Sequence, residues 1–226
     1  MDKLNEHKVC FISCINNEDY EKEEIKYIEN LHIPENYEIE MLSIKDAVSM
    51  TAGYNEGMRA SDAKYKVYLH QDVFIVNKYF IYDMLRIFKD EEIGMIGMVG
   101  AIQLSEDGIM WNGPRIGKIY ANCIYNCLES TIGQVDGPLE SVEAIDGLLM
   151  ATQYDLTWRD DLFHNWDFYD VSQSQEFLRH GYKVVVPNQK NPWCIHDDGF
   201  SKLKNYYDER KIFLREYKNY NDKITD

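Results

Sequence analysis

The sequence predicts an α/β/α layered fold with a mainly parallel central sheet. Short runs of β-prone apolar residues alternate along the chain with segments of helical periodicity, the pattern of a sheet covered on both faces. At 226 residues the chain can bury one sizeable core and would be cramped by a second full domain. It carries no internal repeat, low-complexity tract or linker rich in Gly, Pro or Ser. Aromatics make up 13% of the residues, with 17 Tyr, which argues for a packed rather than a disordered chain.

Residues 8–13 read as a buried strand, followed by a polar loop at 15–18. Ile25, Ile28 and Leu31 recur at helical spacing over residues 20–31. Pro34 and Asn36 end that pattern, and residues 37–44 alternate apolar and charged side chains as a half-buried strand does. Residues 50–61 read as a short helix and 66–70 as a compact strand. Phe80, Ile81, Met84, Leu85 and Phe88 mark an amphipathic helix. The apolar run 93–101 contains three glycines and reads as one central strand closely approached by other backbone. From 103 to 139 the pattern is weak, with turn signals at Asp107-Gly108 and Asn112-Gly113 and a strand at 119–124. Residues 143–152 read as a strand, 171–180 as a helix capped by Gly181, and 182–187 as a strand. A last helix over 203–220 forms an extension, residues 201–226, behind a domain of residues 1–200.

The net charge is −15, from 39 acidic against 24 basic side chains. Such a surface repels phosphate backbones, which argues against nucleic acid as a partner, and it disfavours docking on anionic lipid. No cluster of Lys or Arg is available to hold a diphosphate, so a ligand of that kind would call for a metal ion. The apolar run 9–15 is too short for a secretory core or a membrane span, and no later stretch reaches transmembrane length. The expected location is the cytoplasm, with peripheral contact at a membrane as an addition. Five cysteines fit reduced, mostly buried thiols; a four-thiolate zinc site from Cys10, Cys14, Cys123 and Cys127 is the rival reading. Neither a P-loop, nor G-x-G-x-x-G, nor a G-x-S-x-G elbow occurs.

In layered sheets of this type ligands bind beyond the carboxyl ends of the strands. Residues 66–70 run directly into Gln71 and Asp72. Continued extension would point His70 and Asp72 to one face, where a carboxylate can hold a divalent ion; capping the next turn is the plainer role. Asp167 and Asp170, three apart at a helix start, can share a face near the positive end of the dipole. One of them can act as general base if its pocket raises its pKa, although acids are favoured at helix starts in any case. The loop Trp193-Cys194-Ile195-His196-Asp197-Asp198-Gly199 sets His196 beside two acids, a metal-ligand chemistry.

In order and spacing these segments resemble the glycosyltransferases of the GT-A fold, a Rossmann-like α/β/α sandwich, and among them the family 2-like enzymes. The resemblance spans residues 8–199. Residues 49–73 (SMTAGYNEGMRASDAKYKVYLHQDV) are similar to the family's Asn-containing helix, here with Asn55, and to the strand ending in its metal-binding D-x-D. Residues 168–187 (FYDVSQSQEFLRHGYKVVVP) are similar to its acidic motif, helix and Gly-Tyr strand. Ala144-Ile145-Asp146-Gly147 is similar to the Asp-Gly strand beside the acceptor pocket.

The resemblance implies that Asp72 and His196 contact a divalent metal, Mn2+ or Mg2+, and that Asp170 takes the proton of the acceptor hydroxyl. It implies a nucleotide held by Ser13, Cys14, Ile15, Asn16 and Asp46, joined by Asn55, His70 and Gln71. Trp111, Asp146 and Gly147 would border the sugar and acceptor. His70 stands where D-x-D has its first Asp, which removes one anionic ligand; a His and Asp pair suits Mn2+ better than Mg2+. Ser172 stands where a further Asp often follows the acidic motif, with Asp167 as a partial replacement. The implied reaction is inverting transfer from a nucleoside-diphosphate sugar, first of all a UDP-sugar, to a glycan or lipid-linked acceptor. The altered D-x-D leaves a non-catalytic nucleotide-sugar-binding protein of the same fold as the alternative. A nucleotidyltransferase ranks third, for want of a Gly-rich basic loop. In the last helix Leu203, Tyr206, Tyr207, Phe213, Leu214, Tyr217 and Tyr220 form a stripe that packs on its own domain, with a homodimer contact as the other reading.

Overall fold

The computed structural model describes residues 3–123, 126–197 and 203–218. Its strands are β1 (Asn5–Ile15), β2 (Glu38–Lys45), β3 (Ala63–His70), β4 (Val73–Ile75), β5 (Ile93–Gly97), β6 (Val99–Ala101) and β7 (Arg115–Cys123). They continue with β8 (Asn126–Gly133), β9 (Leu139–Ser141), β10 (Ala144–Ile145), β11 (Leu149–Thr152), β12 (Lys183–Pro187) and β13 (Cys194–His196). The helices are α1 (Glu18–Glu29), α2 (Met50–Ala60), α3 (Phe80–Ile87), α4 (Tyr169–Arg179) and α5 (Tyr206–Phe213).

The main sheet runs β2-β1-β3-β11-β5-β12-β9. Val9 to Ile12 are fully buried, as expected for a strand covered on both faces. On one face, α1 and α3 enclose Phe11, Leu69, Phe80 and Ile81; on the other, Ile12, Tyr54, Tyr68, Trp158 and Phe177 pack against α2 and α4. Local chemistry sets the helix starts. The Asn17 side chain accepts from Asp19 N and Tyr20 N at the head of α1, and Ser49 Oγ accepts from Ala52 N at 3.1 Å at the head of α2. Gly57 lets α2 sit close on β1, because a Cβ there would overlap the Ile12 side chain.

The sheet is mixed rather than mainly parallel. β1 pairs in parallel with β2 and β3, and β5 with β12, but β11 lies antiparallel between β3 and β5, and β9 antiparallel to β12. Two expected single strands each divide between sheets. Residues 93–101 break at Met98 into β5 and β6, and residues 143–152 break at Asp146 to Leu148 into β10 and β11. The ribbon they form bends out of the main sheet into a second one, ordered β10-β6-β7-β13-β4 with β8 beside β7. Gly97 and Gly100 permit that bend: a Cβ on the first would overlap Ile145, and one on the second would crowd the Ala144 carbonyl.

The last helix begins at Tyr206, later than its sequence pattern suggests, and continues as a π-turn from Leu214 to Lys218; Tyr220 lies outside the described residues, as do Ile124, Asp198 and Gly199. Phe213 and Tyr217 are buried with Phe163, Phe168 and Val171, whereas Tyr207 is exposed. Among the described residues no helix is long and apolar enough to cross a membrane. Cys10 and Cys14 lie four residues apart on one strand, about 13 Å, which is too far to share an ion. Cys10 is buried, and Cys127 is exposed.

Asn55 is fully buried inside α2, where its Nδ2 donates to Trp158 O (2.9 Å) and its Oδ1 accepts from Trp158 N (3.0 Å). The Asn55→Ala substitution strands both backbone groups and should cost about 2–4 kcal/mol. Urea unfolding checks this, and a loss under about 1 kcal/mol would contradict the assignment.

Candidate functional site

The main-sheet strands β1, β2 and β3 end at a cleft of about 440 Å³. Cys14, Ile15 and Asn16 from the end of β1, Asp46 and Ala47 beyond β2, His70, Gln71 and Asp72 beyond β3, and Trp166 line it. Asp46 holds a left-handed backbone (φ 59°), a conformation Asp tolerates better than most side chains. Gln71 ties the first of these loops to the third. Its Oε1 accepts from Asn16 N and Asn17 N, each at 3.0 Å, and its Nε2 donates to Asn16 Oδ1 at 2.8 Å. None of the lining residues is Lys or Arg.

At the cleft edge three donors converge. β13 pairs antiparallel with β4, placing His196 opposite Val73, and Asp197 N donates to Asp72 O at 2.8 Å. His196 Nε2 lies 3.7 Å and His70 Nδ1 4.0 Å from Asp72 Oδ1, and the ligand atoms of all three lie within 4.8 Å of one another. Burial, and then the neighbouring His196, push the His70 pKa down to about 3, so its imidazole is neutral at pH 7. Neutral imidazole is the ligand form. Two imidazoles and a carboxylate fit a borderline divalent ion such as Mn2+.

His70 is oriented from its other side, since its Nε2 is hydrogen-bonded to the Tyr169 hydroxyl. Tyr169 opens α4, and the next residue is Asp170. The Asp170 carboxylate accepts from Gly147 N (3.0 Å) and Val171 N (2.8 Å). Burial, reinforced by the charge of Asp146, raises its pKa to about 7 despite those bonds. The Asp146-Gly147 step between the two sheets thus reaches the catalytic candidate directly. A small cavity beside Asp170 is lined by Met110, Trp111, Phe168, Val171 and Tyr206.

Three expected site residues stand elsewhere. Ser13 is buried and its hydroxyl donates to Glu24, a carboxyl that burial pushes up to about 8. Asn55 serves Trp158, as described above. Asp167 precedes α4, separated from it by Phe168 in a left-handed conformation (φ 57°), so it does not share a helix face with Asp170. Its pKa is raised to about 6, by burial and then by Glu209. Conversely, Trp166, Ala47 and Met50 line the cleft and Tyr169 meets His70, although no sequence motif marks them as site residues. Adjacency to Asp170 was the available signal for Tyr169.

A family model described as a glycosyltransferase-like family matches residues 10–217, a stretch that runs through α5. No curated protein matches the sequence. Among solved structures, the chain is similar to a mannosyltransferase, PcManGT from Pyrobaculum calidifontis, in complex with GDP-Man and Mn2+ (TM-score 0.56, 11% identity, 91% of this chain and 60% of that one). It is similar to S. aureus TarS 1–349 in complex with UDP (0.54, 9%, 91% and 64%). It is also similar to GalNAc-T7 with UDP, GalNAc and Mn2+ (0.59, 14%, 97% and 50%). The chain spans less than two thirds of each of these structures. At these identities the likeness establishes the shared GT-A fold.

A Cβ on Gly147 would overlap the Tyr169 hydroxyl. Gly147→Ala should therefore displace the ring that orients His70 and cost about 1–3 kcal/mol in stability. Calorimetric titration with Mn2+ should show affinity reduced by about tenfold. Tyr169→Phe, which keeps the ring and removes only the hydroxyl, should retain the stability while still weakening the metal. Unchanged Mn2+ affinity in both would mean that this contact does not serve the three-donor cluster.

Proposed function

We propose, on the premise that this chain belongs to the glycosyltransferase-like family, that it transfers a sugar from a nucleoside diphosphate to an acceptor hydroxyl with inversion at the anomeric carbon. The observation that carries this reading is a cleft, with no Lys or Arg among its described lining residues, whose edge gathers His70, Asp72 and His196, with Asp170 joined to the same cluster through Tyr169. Among the described lining residues a diphosphate meets no Lys or Arg, and the three donors supply the place for a cation. His70, Asp72 and His196 would hold a divalent ion, Mn2+ before Mg2+. When bound, that ion offsets the charge developing on the leaving diphosphate.

The chain's own groups account for the rest. The loop at Cys14 to Asn16, fastened by Gln71, and Asp46 on the facing wall would receive the nucleoside, with a UDP-sugar as the first candidate donor. Asp170 would act as general base. Its carboxylate is held by two backbone N–H groups at the head of α4, leaving a lone pair on each oxygen for the acceptor hydroxyl proton. Trp111 would border the acceptor. A glycan or a lipid-linked hydroxyl is the acceptor class proposed. A UDP-binding protein without turnover is the reading that the test below separates from this one.

With a panel of nucleotide sugars and Mn2+, the chain should release nucleoside diphosphate, and chelation by EDTA should abolish release. Asp170→Asn should lower turnover by about 10²–10⁴-fold while leaving UDP binding within about threefold. Intact turnover in that variant would remove Asp170 from the base role, and inversion can be read from the anomeric configuration of the product by NMR. Because the base works only when ionised, and burial holds Asp170 near 7, kcat/KM should climb as pH rises to about 7 and level above it. A flat profile between pH 5 and 8 would contradict the assignment.

A further inference from the structure

Two adjacent side chains on the helix Tyr206–Phe213 reach both loops that flank Asp170. Glu209 is 2% exposed with no cation bonded to it among the described residues. Its carboxylate is met instead by the segment leading into α4. Oε1 accepts from His164 N (3.0 Å), Asn165 N (2.9 Å) and Asn165 Nδ2 (3.0 Å), and Oε2 accepts from Asp167 N (3.2 Å). A buried carboxylate bonded this way fixes the conformation of consecutive peptide groups, because releasing any of them would leave buried charge uncompensated. That segment carries Trp166 into the cleft.

Arg210 faces the other way. Its Nε donates to Asp107 O at 2.6 Å. The loop so held is shaped internally by Asp107, whose carboxylate accepts from Ile109 N (2.9 Å) and Asn112 Nδ2 (2.8 Å). It delivers Met110 and Trp111 to the small cavity beside Asp170, and Tyr206, from the same helix, supplies another wall of that cavity. The end of the helix is locked to α4 as well. Arg179 donates to Glu216 Oε1 (3.0 Å) and Glu216 O (2.9 Å) and lies over the Tyr217 ring, 4.1 Å from its centroid.

We propose that α5 is a working wall of the site: Glu209 and Arg210 are positioning residues that set the loops bearing Trp166 and Trp111, and Tyr206 closes the space where the acceptor hydroxyl meets Asp170. This rests on the transferase reading above. Misplacement of a reacting group by about an ångström costs on the order of 10²-fold in rate, so a brace of this kind acts on turnover before it acts on folding.

The test uses the full chain with Glu209→Ala, Glu209→Gln and Tyr206→Ala. Glu209→Ala should lower kcat by about tenfold or more and speed amide hydrogen exchange over residues 163–168, leaving β1 and β3 protected. Glu209→Gln keeps the acceptor oxygen for residues 164 and 165 and should recover most of that loss. Tyr206→Ala should raise the acceptor KM by about fivefold with the donor KM unchanged. A kcat kept within about twofold in Glu209→Ala despite faster local exchange would overturn the proposal. So would faster exchange spreading through β1 and β3, or no rescue by Gln. Should the wild-type chain release no nucleoside diphosphate from any sugar, the transferase reading fails by itself. The brace is then judged on Mn2+-UDP affinity. Glu209→Ala should weaken it by about fivefold through Trp166, and unchanged affinity would refute the brace independently.

Discussion

The short antiparallel ladder between Val73–Ile75 and Cys194–His196 is the contact on which the candidate site depends. It sets His196 opposite Val73, and so next to Asp72, although the two acid and imidazole partners are far apart in sequence. Strand side chains alternate faces, so a slip of one residue would turn His196 away from the cleft and offer Ile195 or Asp197 instead. The register is guarded from outside the ladder. Asp197 is fixed by Tyr20 Oη (2.9 Å) from α1 and Asn122 Nδ2 (2.6 Å) from β7, and its backbone N–H is bonded to Asp72. Three elements thus agree on the position of one imidazole.

A second constraint comes from the bent ribbon. Because β5 to β6 and β10 to β11 leave the main sheet together, the chain at Asp146 and Gly147 crosses between sheets directly against the first turn of α4. That crossing is why Asp170 gains a backbone donor from the turn between β10 and β11, and why, after burial, the Asp146 carboxylate adds to the rise in its pKa. It also makes the glycine obligatory, since Tyr169 occupies the space a side chain would need. The three-donor cluster and the base candidate are therefore connected by one ring, Tyr169, whose hydroxyl meets His70 while its neighbour in sequence carries the carboxylate.

Much of this was legible in the sequence. The β-prone run ending in His70-Gln71-Asp72 stands where its local pattern puts it, and the helix expected over 171–180 begins two residues earlier, at Tyr169, because apolar burial and capping are decided within a few residues. The splitting of residues 93–101 and 143–152 between two sheets was not legible. A buried apolar run reads the same whether or not it changes partners, and the glycines that permit the bend look like any close-packing glycine. Ser13 and Asn55 look like ligand-binding residues by position, but burial gives each an internal partner. Gln71 lines the cleft as its position suggests, and it also ties down the loop at Asn16, which sequence alone does not reveal. Glu209 offered no signal at all: an acid in the first turn of a helix is ordinary, and only tertiary packing shows that its oxygens collect the amides of a loop about 45 residues upstream.

Charge is the problem this fold has to solve, since the chain carries −15 and the proposed ligand is itself anionic. The carboxyl groups around the cleft are treated differently according to depth. Asp72 opens on the cleft beside two imidazoles, where a cation would be welcome. Glu24, buried behind the first loop, is pushed up to about 8 by desolvation and, to a smaller extent, by the charges of Glu21 and Asp72, so at neutral pH it adds little negative charge. Asp170, held near 7, sits at the boundary between the two states, where a group can both lose and accept a proton. One functional group, the carboxyl, is thus distributed among three electrostatic roles by burial and then by neighbouring charge, the same device by which a single active site can hold acids of different strengths.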